Sequence, residues 1–231
     1  MTKDIIFDFF GTLVGYSPDL CLQGTDKTVN NLVNNGFQIS KDMFDAAWER
    51  CFETLETEAQ KTLQEYHMFD VASLFFKNQF GSVPSQKILE GFVETFVDEW
   101  NQGTTYLKGI TAFLEDLSCQ YRLSITSNTH YPPLIQRNLK AMDIEKYFPL
   151  VVTSIEFGKR KPSPEIFRHA LDKLNIKPSE AVFVGDNYKD DYMGATAVGL
   201  KCFLIDTKNQ FPLEKDRLDH LFDLKKRVYV S

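Results

Sequence analysis

The sequence predicts an α/β fold: a parallel sheet with helices on both faces, interrupted near its start by a small all-helical insert. Three observations lead there. A short apolar run at the N-terminus ends on an acid and a glycine. From about 17 to 104 there is no good β-run, and apolar residues recur at three- and four-residue spacing. After Gly103, short apolar runs alternate with helical stretches as far as Ile205.

The first run is Ile5-Ile6-Phe7-Asp8-Phe9-Phe10, closed by Gly11. It reads as a buried parallel strand ending at a turn. An acid in so apolar a setting is costly unless it is paired, hydrogen-bonded or bound to metal. The insert carries Val29, Leu32 and Val33; then Phe44, Ala47, Trp48, Cys51, Phe52 and Leu55; then Val71, Leu74 and Phe75; then Leu89, Phe92, Val93, Phe96, Val97 and Trp100. That spacing predicts about four helices. Ser40 and Ser85 are the expected N-caps, Gly36 and Gly81 the expected stops. Within the insert, Trp48, Tyr66 and Tyr16 are expected to pack rather than read a substrate.

Beyond the insert, strands are expected at Leu123-Ser124-Ile125-Thr126, Leu150-Val151-Val152, Ala181-Val182-Phe183-Val184 and Cys202-Phe203-Leu204-Ile205. Helices are expected over 110–117, 132–142, 164–174 and 190–198. Ser163 caps the third with Pro164 in its first position, and Gly199 stops the last. From about Pro212 the chain is polar and poorly patterned, and no element is assigned. The expected division is a core domain of 1–15 and 104–231 with a helical cap domain at 16–103.

Composition narrows the function classes. Lys and Arg total 26 against 32 Asp and Glu, a net charge of −6 over 231 residues. So acidic a chain is a poor nucleic-acid binder, and its basic clusters, Lys159-Arg160-Lys161 and Lys225-Lys226-Arg227, are short. No apolar run reaches membrane-span length, and the N-terminus does not read as a signal peptide. Cys21, Cys51, Cys119 and Cys202 lie far apart without a CxxC, so they are expected to be buried core thiols of a cytoplasmic protein. A small-molecule substrate is the expected partner, with neither nucleic acid nor membrane; monomer and homodimer are both compatible with the sequence.

Ligands of open parallel sheets bind beyond the carboxyl ends of the strands. The residues that follow each apolar run are therefore the informative ones: Asp8 with Gly11-Thr12, Ser127-Asn128, Lys159-Arg160-Lys161, and Gly185-Asp186 with Asp190-Asp191. Carboxylates, a hydroxyl and a lysine brought to one edge could hold a divalent metal beside a phosphoryl group.

In kind and in order these motifs resemble the haloacid dehalogenase-like hydrolase superfamily, over nearly the whole chain. The resemblance implies a Rossmann-like core with a helical cap inserted after the first strand. It implies that Asp8 is a nucleophile that also binds Mg²⁺, together with the Phe10 backbone carbonyl and Asp186. Ser127 and Lys161 would clamp the phosphoryl oxygens, with Thr12 and Asn128 as further phosphate contacts. Asp191 has the family's spacing before Gly194-Ala195 and would act behind the metal, through water or by orienting Lys161. Asp190 also reads as an ordinary acid at a helix start.

One position departs from the family's phosphatases. They carry a second aspartate, the general acid and base, two residues after the nucleophile; here it is Phe10. Loss of such a group typically costs roughly 10²–10⁴-fold in rate. His130, close after Ser127-Asn128, is a candidate substitute; a loop histidine facing solvent is the competing reading. The resemblance thus implies a Mg²⁺-dependent phosphatase of a small phosphorylated metabolite that forms an aspartyl-phosphate and works slowly. Two alternatives stand beside it. One is a metal-free 2-haloacid dehalogenase, since those enzymes carry an aromatic residue where this chain has Phe10, although they have a serine in place of Asp186. That reading would need a halide-binding cation in the cap, where Arg50 is the one arginine. The other is a catalytically weak phosphate-binding or regulatory protein.

Overall fold

The computed structural model describes residues 2–16 and 24–229. The chain divides into two compact units, 1–15 with 105–231, and 16–104.

The first unit is built on a six-stranded parallel sheet. Its strands are β1 (Asp4–Phe7), β4 (Arg122–Ser127), β5 (Leu150–Thr153), β6 (Ala181–Gly185), β7 (Lys201–Ile205) and β8 (Arg217–Leu218). The spatial order is β5-β4-β1-β6-β7-β8. The order reverses about β1, so the switch point lies at its carboxyl end, where such sheets place ligands. Register sharpens this. Phe7 lies opposite both Ile125 and Val184, so Asp8, Ser127 and Asp186 leave the sheet at nearly one level.

Alternation along the strands sorts the core into two layers. On one face Ile5, Phe7, Leu123, Ile125, Val182, Val184 and Phe203 pack with Phe113, Leu114, Ile135 and Leu139. On the other, Ile6, Phe183 and Cys202 pack with Ile166, Phe167, Ala170 and Leu171. The helices include Ile110–Ser118, Pro133–Ala141 and Pro164–Leu174. Ser163 caps the last of these through the Glu165 amide.

Among the described residues, four α-helices form the second unit: α1 (Asp26–Asn34), α2 (Lys41–Thr62), α3 (Met68–Phe80) and α4 (Gln86–Trp100). Their faces close on aromatic rings. Trp48 stacks on Phe44 at 5.6 Å and meets Phe96 at 4.6 Å. Trp48 and Tyr66 are buried packing residues, whereas Tyr16 is 44% exposed beside Trp100. Glu99, buried on α4, accepts hydrogen bonds from the Lys27 and Thr28 amides and satisfies the open start of α1. The strands β2 (Val14–Tyr16) and β3 (Thr104–Tyr106), through which the chain leaves and re-enters the first unit, pair with each other.

Several expectations need correction. Ser40 caps α2 through the Met43 amide, and Ser85 stands at the N-cap of α4 as expected, although its side chain makes no cap hydrogen bond. Cys51 and Cys202 are buried, but Cys119 is exposed, because it follows the last turn of its helix on the outer side; Cys21 lies outside the described residues. The stretch expected to be helical over 190–198 starts as a π-helical segment, Tyr188–Met193, before the short α-helix Gly194–Ala197. The tail, in which the sequence pattern assigns no element, is ordered by long-range contacts. Leu204 N–H donates to Asp216 and Asp206 N–H to Leu218, which adds β8 to the sheet. The final helix, Lys225–Val228, packs on the core, and Tyr121 Oη donates to the Val228 carbonyl at 2.8 Å. Among the described residues, no helix is long and apolar enough to cross a membrane.

Asp206 anchors this tail. Its carboxylate accepts the Gln210 amide at 2.9 Å, the Phe211 amide at 2.8 Å and Arg217 Nε at 3.1 Å. Burial would raise its pKa, but these donors outweigh burial and hold it below the usual carboxylate value. A depressed folded pKa stabilises the fold above the unfolded value of about 3.9 and ceases to do so as pH falls through the folded value. Asp206→Asn is therefore expected to melt below wild type at pH 7, with the gap closing as pH falls toward 3. Thermal unfolding across that range checks it; a gap independent of pH would assign the effect to shape alone.

Candidate active site

Asp8 follows β1 at the centre of the sheet, with its amide donating to the Val184 carbonyl at 2.9 Å. Its side chain shares the face of Ile6, the side on which the 164–174 helix packs. It is 6% exposed. Two donors meet its Oδ1: Ser127 Oγ at 2.8 Å and Lys161 Nζ at 2.6 Å. The same Lys161 Nζ donates to Asp191 Oδ1 at 2.6 Å. Lys161 is 3% exposed and Asp191 1%, so a single buried ammonium bridges two buried carboxylates.

Burial by itself would lower the Lys161 pKa, but Asp191 and Asp8 outweigh it and raise the value above the ordinary one. The lysine is therefore charged at any working pH. Asp191 is pushed up to about 7 by burial, against the pull of Lys161. Burial and the Asp8 charge push Asp186 up to about 6.

Asp186 lies half-buried beside Asp8, and Thr12 Oγ1 donates to it at 3.2 Å. Two glycines allow the close approach. Gly11 has φ +88°, and a side chain there would run into the Asp186 carboxylate. One at Gly185 would run into that of Asp191. Oxygens of Asp8, Asp186 and Asp191 all lie within 4.8 Å of one another. Three carboxylates against one buried ammonium leave an uncompensated negative pocket.

The structure thus brings Asp8, Ser127, Lys161, Asp186 and Asp191 together, and it bonds the side chains of two other expected residues, Asn128 and Thr12, to members of this cluster. The Asn128 side chain brackets the Lys161 backbone: its Oδ1 accepts from Lys161 N–H at 2.8 Å and its Nδ2 donates to Lys161 O at 3.1 Å. Thr12 is engaged with Asp186 and only 1% exposed. Both side chains are thus hydrogen-bonded within the cluster. Phe10 is half-buried, edge-on to Phe9 with ring centroids 4.9 Å apart, and packs against the core. Asp190 donates its amide to Asn187 Oδ1, so Asn187 rather than Asp190 begins the π-helical turn. The Asn187 amide in turn donates to Asp191 Oδ2 at 3.0 Å. Asn187 escaped the sequence reading, although an Asn three residues before an acid at a helix start is a capping signal. His130 is half-buried in the loop after β4, and Arg50 is exposed on α2.

A family model described as haloacid dehalogenase-like hydrolase matches residues 5–205. The glyceraldehyde 3-phosphate phosphatase of Methanothermobacter thermautotrophicus is 33% identical over 114 residues, 47% of this chain and 50% of that protein. The ribulose-1,5-bisphosphate 5-phosphatase of Halopiger xanaduensis is 26% identical over 217 residues, 91% of this chain and 87% of that protein. The mouse haloacid dehalogenase-like hydrolase domain-containing protein 3 is 37% identical over 84 residues, 36% of this chain and 33% of that protein. The chain therefore spans a third to a half of the first curated relatives it matches. In fold, the 2-haloacid dehalogenase of Pseudomonas syringae pv. Tomato DC3000 superposes with a TM-score of 0.77 at 18% identity, covering 100% of this chain and 99% of that one.

Proposed function

The chain belongs to the haloacid dehalogenase-like hydrolase family, and we propose that it is a Mg²⁺-dependent phosphatase of a small phosphorylated metabolite, working through an aspartyl-phosphate on Asp8. The observation that carries this reading is the carboxylate cluster: Asp186 stands beside Asp8, with the Lys161 ammonium shared between Asp8 and Asp191. The phosphatase names of two relatives support the reaction class.

The donor set fits Mg²⁺, which takes hard oxygen ligands and one or two carboxylates beside a substrate phosphate. Asp8, Asp186 and the Phe10 carbonyl would hold it, with Asp191 behind Lys161. Bound there, the ion would neutralise charge on the phosphoryl oxygens. The remaining work falls to the chain. Lys161 and Ser127 both hold Asp8 Oδ1, which orients the carboxylate and leaves Oδ2 for attack on phosphorus. A new Asp8–phosphorus bond forms as the bond from phosphorus to the leaving oxygen breaks. Ser127 and Lys161 then lie where the phosphoryl oxygens carry charge, and stabilising those oxygens is most of what phosphoryl transfer requires. Water attacks the aspartyl-phosphate, releasing phosphate and restoring Asp8.

The departing oxygen receives no proton from Phe10. Leaving groups that need none should therefore react fastest. Wild-type protein is expected to hydrolyse p-nitrophenyl phosphate with Mg²⁺ and not with EDTA, and to turn over simple alkyl phosphates at least ~10²-fold more slowly. Paired assays on the two substrates check this. Fast hydrolysis of an alkyl phosphate would mean that another acid serves the site. Tight binding of Mg²⁺ and phosphate without turnover would identify a binding protein.

Phe10 favours a second reading, a metal-free 2-haloacid dehalogenase in which Asp8 attacks carbon and displaces halide. Chloride release from a 2-haloacid that is indifferent to EDTA would support it. The presence of Asp186 beside Asp8 speaks for the phosphatase.

A further inference from the structure

The chain after β7 takes no part in the chemistry above, yet it reaches back to the loop that carries the acids. Glu214 accepts a hydrogen bond on each carboxylate oxygen: from Tyr188 Oη at 3.0 Å and from Tyr192 Oη at 2.8 Å. Phe211 stacks on Tyr188 with centroids 4.2 Å apart and planes 7° from parallel, and Tyr188 stacks on Tyr192 at 5.4 Å. Both tyrosines belong to the π-helical segment Tyr188–Met193, which also carries Asp191 and begins two residues after Asp186. The far end of the connection is fixed as well, because Asp206 binds the Gln210 and Phe211 amides at the end of β7.

We propose that Glu214 is a positioning residue, clasping Tyr188 and Tyr192 so that the segment they share holds Asp186 and Asp191 at the spacing that binds the divalent cation. This rests on the reading of the acidic cluster as a Mg²⁺ site.

The physical reason lies in the backbone. The Asn187 carbonyl accepts both Asp191 N–H, four residues on at 2.9 Å, and Tyr192 N–H, five residues on at 3.2 Å, so the turn widens just after Asp191 into a form that is rare because α-helical closure competes with it. Slipping by one residue to the α-helical form turns a side chain by about 100° about the axis. Such a slip would turn Tyr192, the residue next to Asp191, off Glu214 and remove the outer brace on the segment that carries the acid. Asn187 and Asp191 brace the turn from within, through the Asn187 amide on Asp191 Oδ2. Glu214 braces it from outside, and hydrogen bonds to a charged acceptor are roughly twice as strong as neutral ones. One carboxylate joined to two hydroxyls four residues apart, Tyr188 and Tyr192, spans the turn.

Calorimetric titration with Mg²⁺ tests this on wild type, Glu214→Ala, Glu214→Gln, the pair Tyr188→Phe/Tyr192→Phe, and the triple variant with Glu214→Ala. Glu214→Ala is expected to weaken Mg²⁺ binding about tenfold, the scale on which groups behind a metal site act. Glu214→Gln keeps one acceptor and should recover part of the loss. The triple variant should bind no more weakly than Glu214→Ala alone, because all remove one interaction. Mg²⁺ affinity equal to wild type in Glu214→Ala, or losses that add in the triple variant, would overturn the clasp while leaving the metal site intact. No Mg²⁺ binding by wild-type protein would overturn the metal-site reading itself, and the clasp with it.

Discussion

Asp8→Asn is expected to lower p-nitrophenyl phosphate turnover by at least ~10³-fold, the scale of losing a nucleophile, while the protein folds as well as before or better. The amide is nearly the same size and keeps an oxygen to accept from Ser127 and Lys161. It cannot form the bond to phosphorus. The stability side follows from the charges. Asp8 raises the pKa of both Asp186 and Asp191, so its carboxylate sits under repulsion from its neighbours. Removing that charge leaves Lys161 still paired with Asp191 at 2.6 Å. Without added metal, the variant should therefore melt no lower than wild type. Thermal unfolding in EDTA together with steady-state assays checks both halves. Unchanged turnover would move the nucleophile elsewhere, and a large drop in melting temperature would show that Asp8 serves the fold first.

Lys161→Met should do the opposite and damage both fold and activity. Lys161 is the ammonium between two buried carboxylates, 2.6 Å from each. Breaking a buried pair by removing one partner typically costs about 3–5 kcal/mol, because the remaining charge is left uncompensated. The sign with pH follows from Asp191. Its folded-state pKa is already raised by burial, and without the pull of the lysine it rises further above the unfolded value. Below pH ~4 both states are protonated and the penalty is small. Above it the unfolded chain ionises while the folded one retains its proton, so stability falls as pH rises. Urea unfolding at pH 5 and pH 8 should show a larger deficit at pH 8. Adding Asp191→Asn to Lys161→Met should return part of the loss, since the two residues form one interaction. An unchanged urea midpoint at pH 8 would mean that the carboxylates have another partner.

The two substitutions separate what the sequence shows locally from what the tertiary structure adds. Asp8 was legible because an acid closing an apolar strand is costly without a partner, a conflict visible within six residues. The sheet was legible for a related reason. Strands buried on both faces read as continuous apolar runs, and Ser163-Pro164 punctuates the helix that covers one face. The 190–198 stretch misled because composition does not distinguish a π-turn from an α-turn. What selects it is the side-chain capping by Asn187 and the packing around Asp191. The tail was unreadable because its pattern is set by partners far away in sequence: Arg217 and Leu218 pair with β7, and Val228 meets Tyr121. Cys119 shows the limit of residue-type habit, since a thiol is buried only where the helix face carrying it is.

By itself, then, the sequence determined the order of the strands β1 and β4 to β7 with the helices between them, and which polar residues stand at the strand ends. Those features depend on periodicity and on short-range turn chemistry. Only the tertiary structure decided which oxygen each donor meets, that Thr12 serves Asp186 and Asn128 serves Lys161, and that Glu214 lies against Tyr188 and Tyr192. Hydrogen bonds are short-ranged and directional, so these pairings exist only once parallel strands distant in sequence lie in register and bring their ends to one edge.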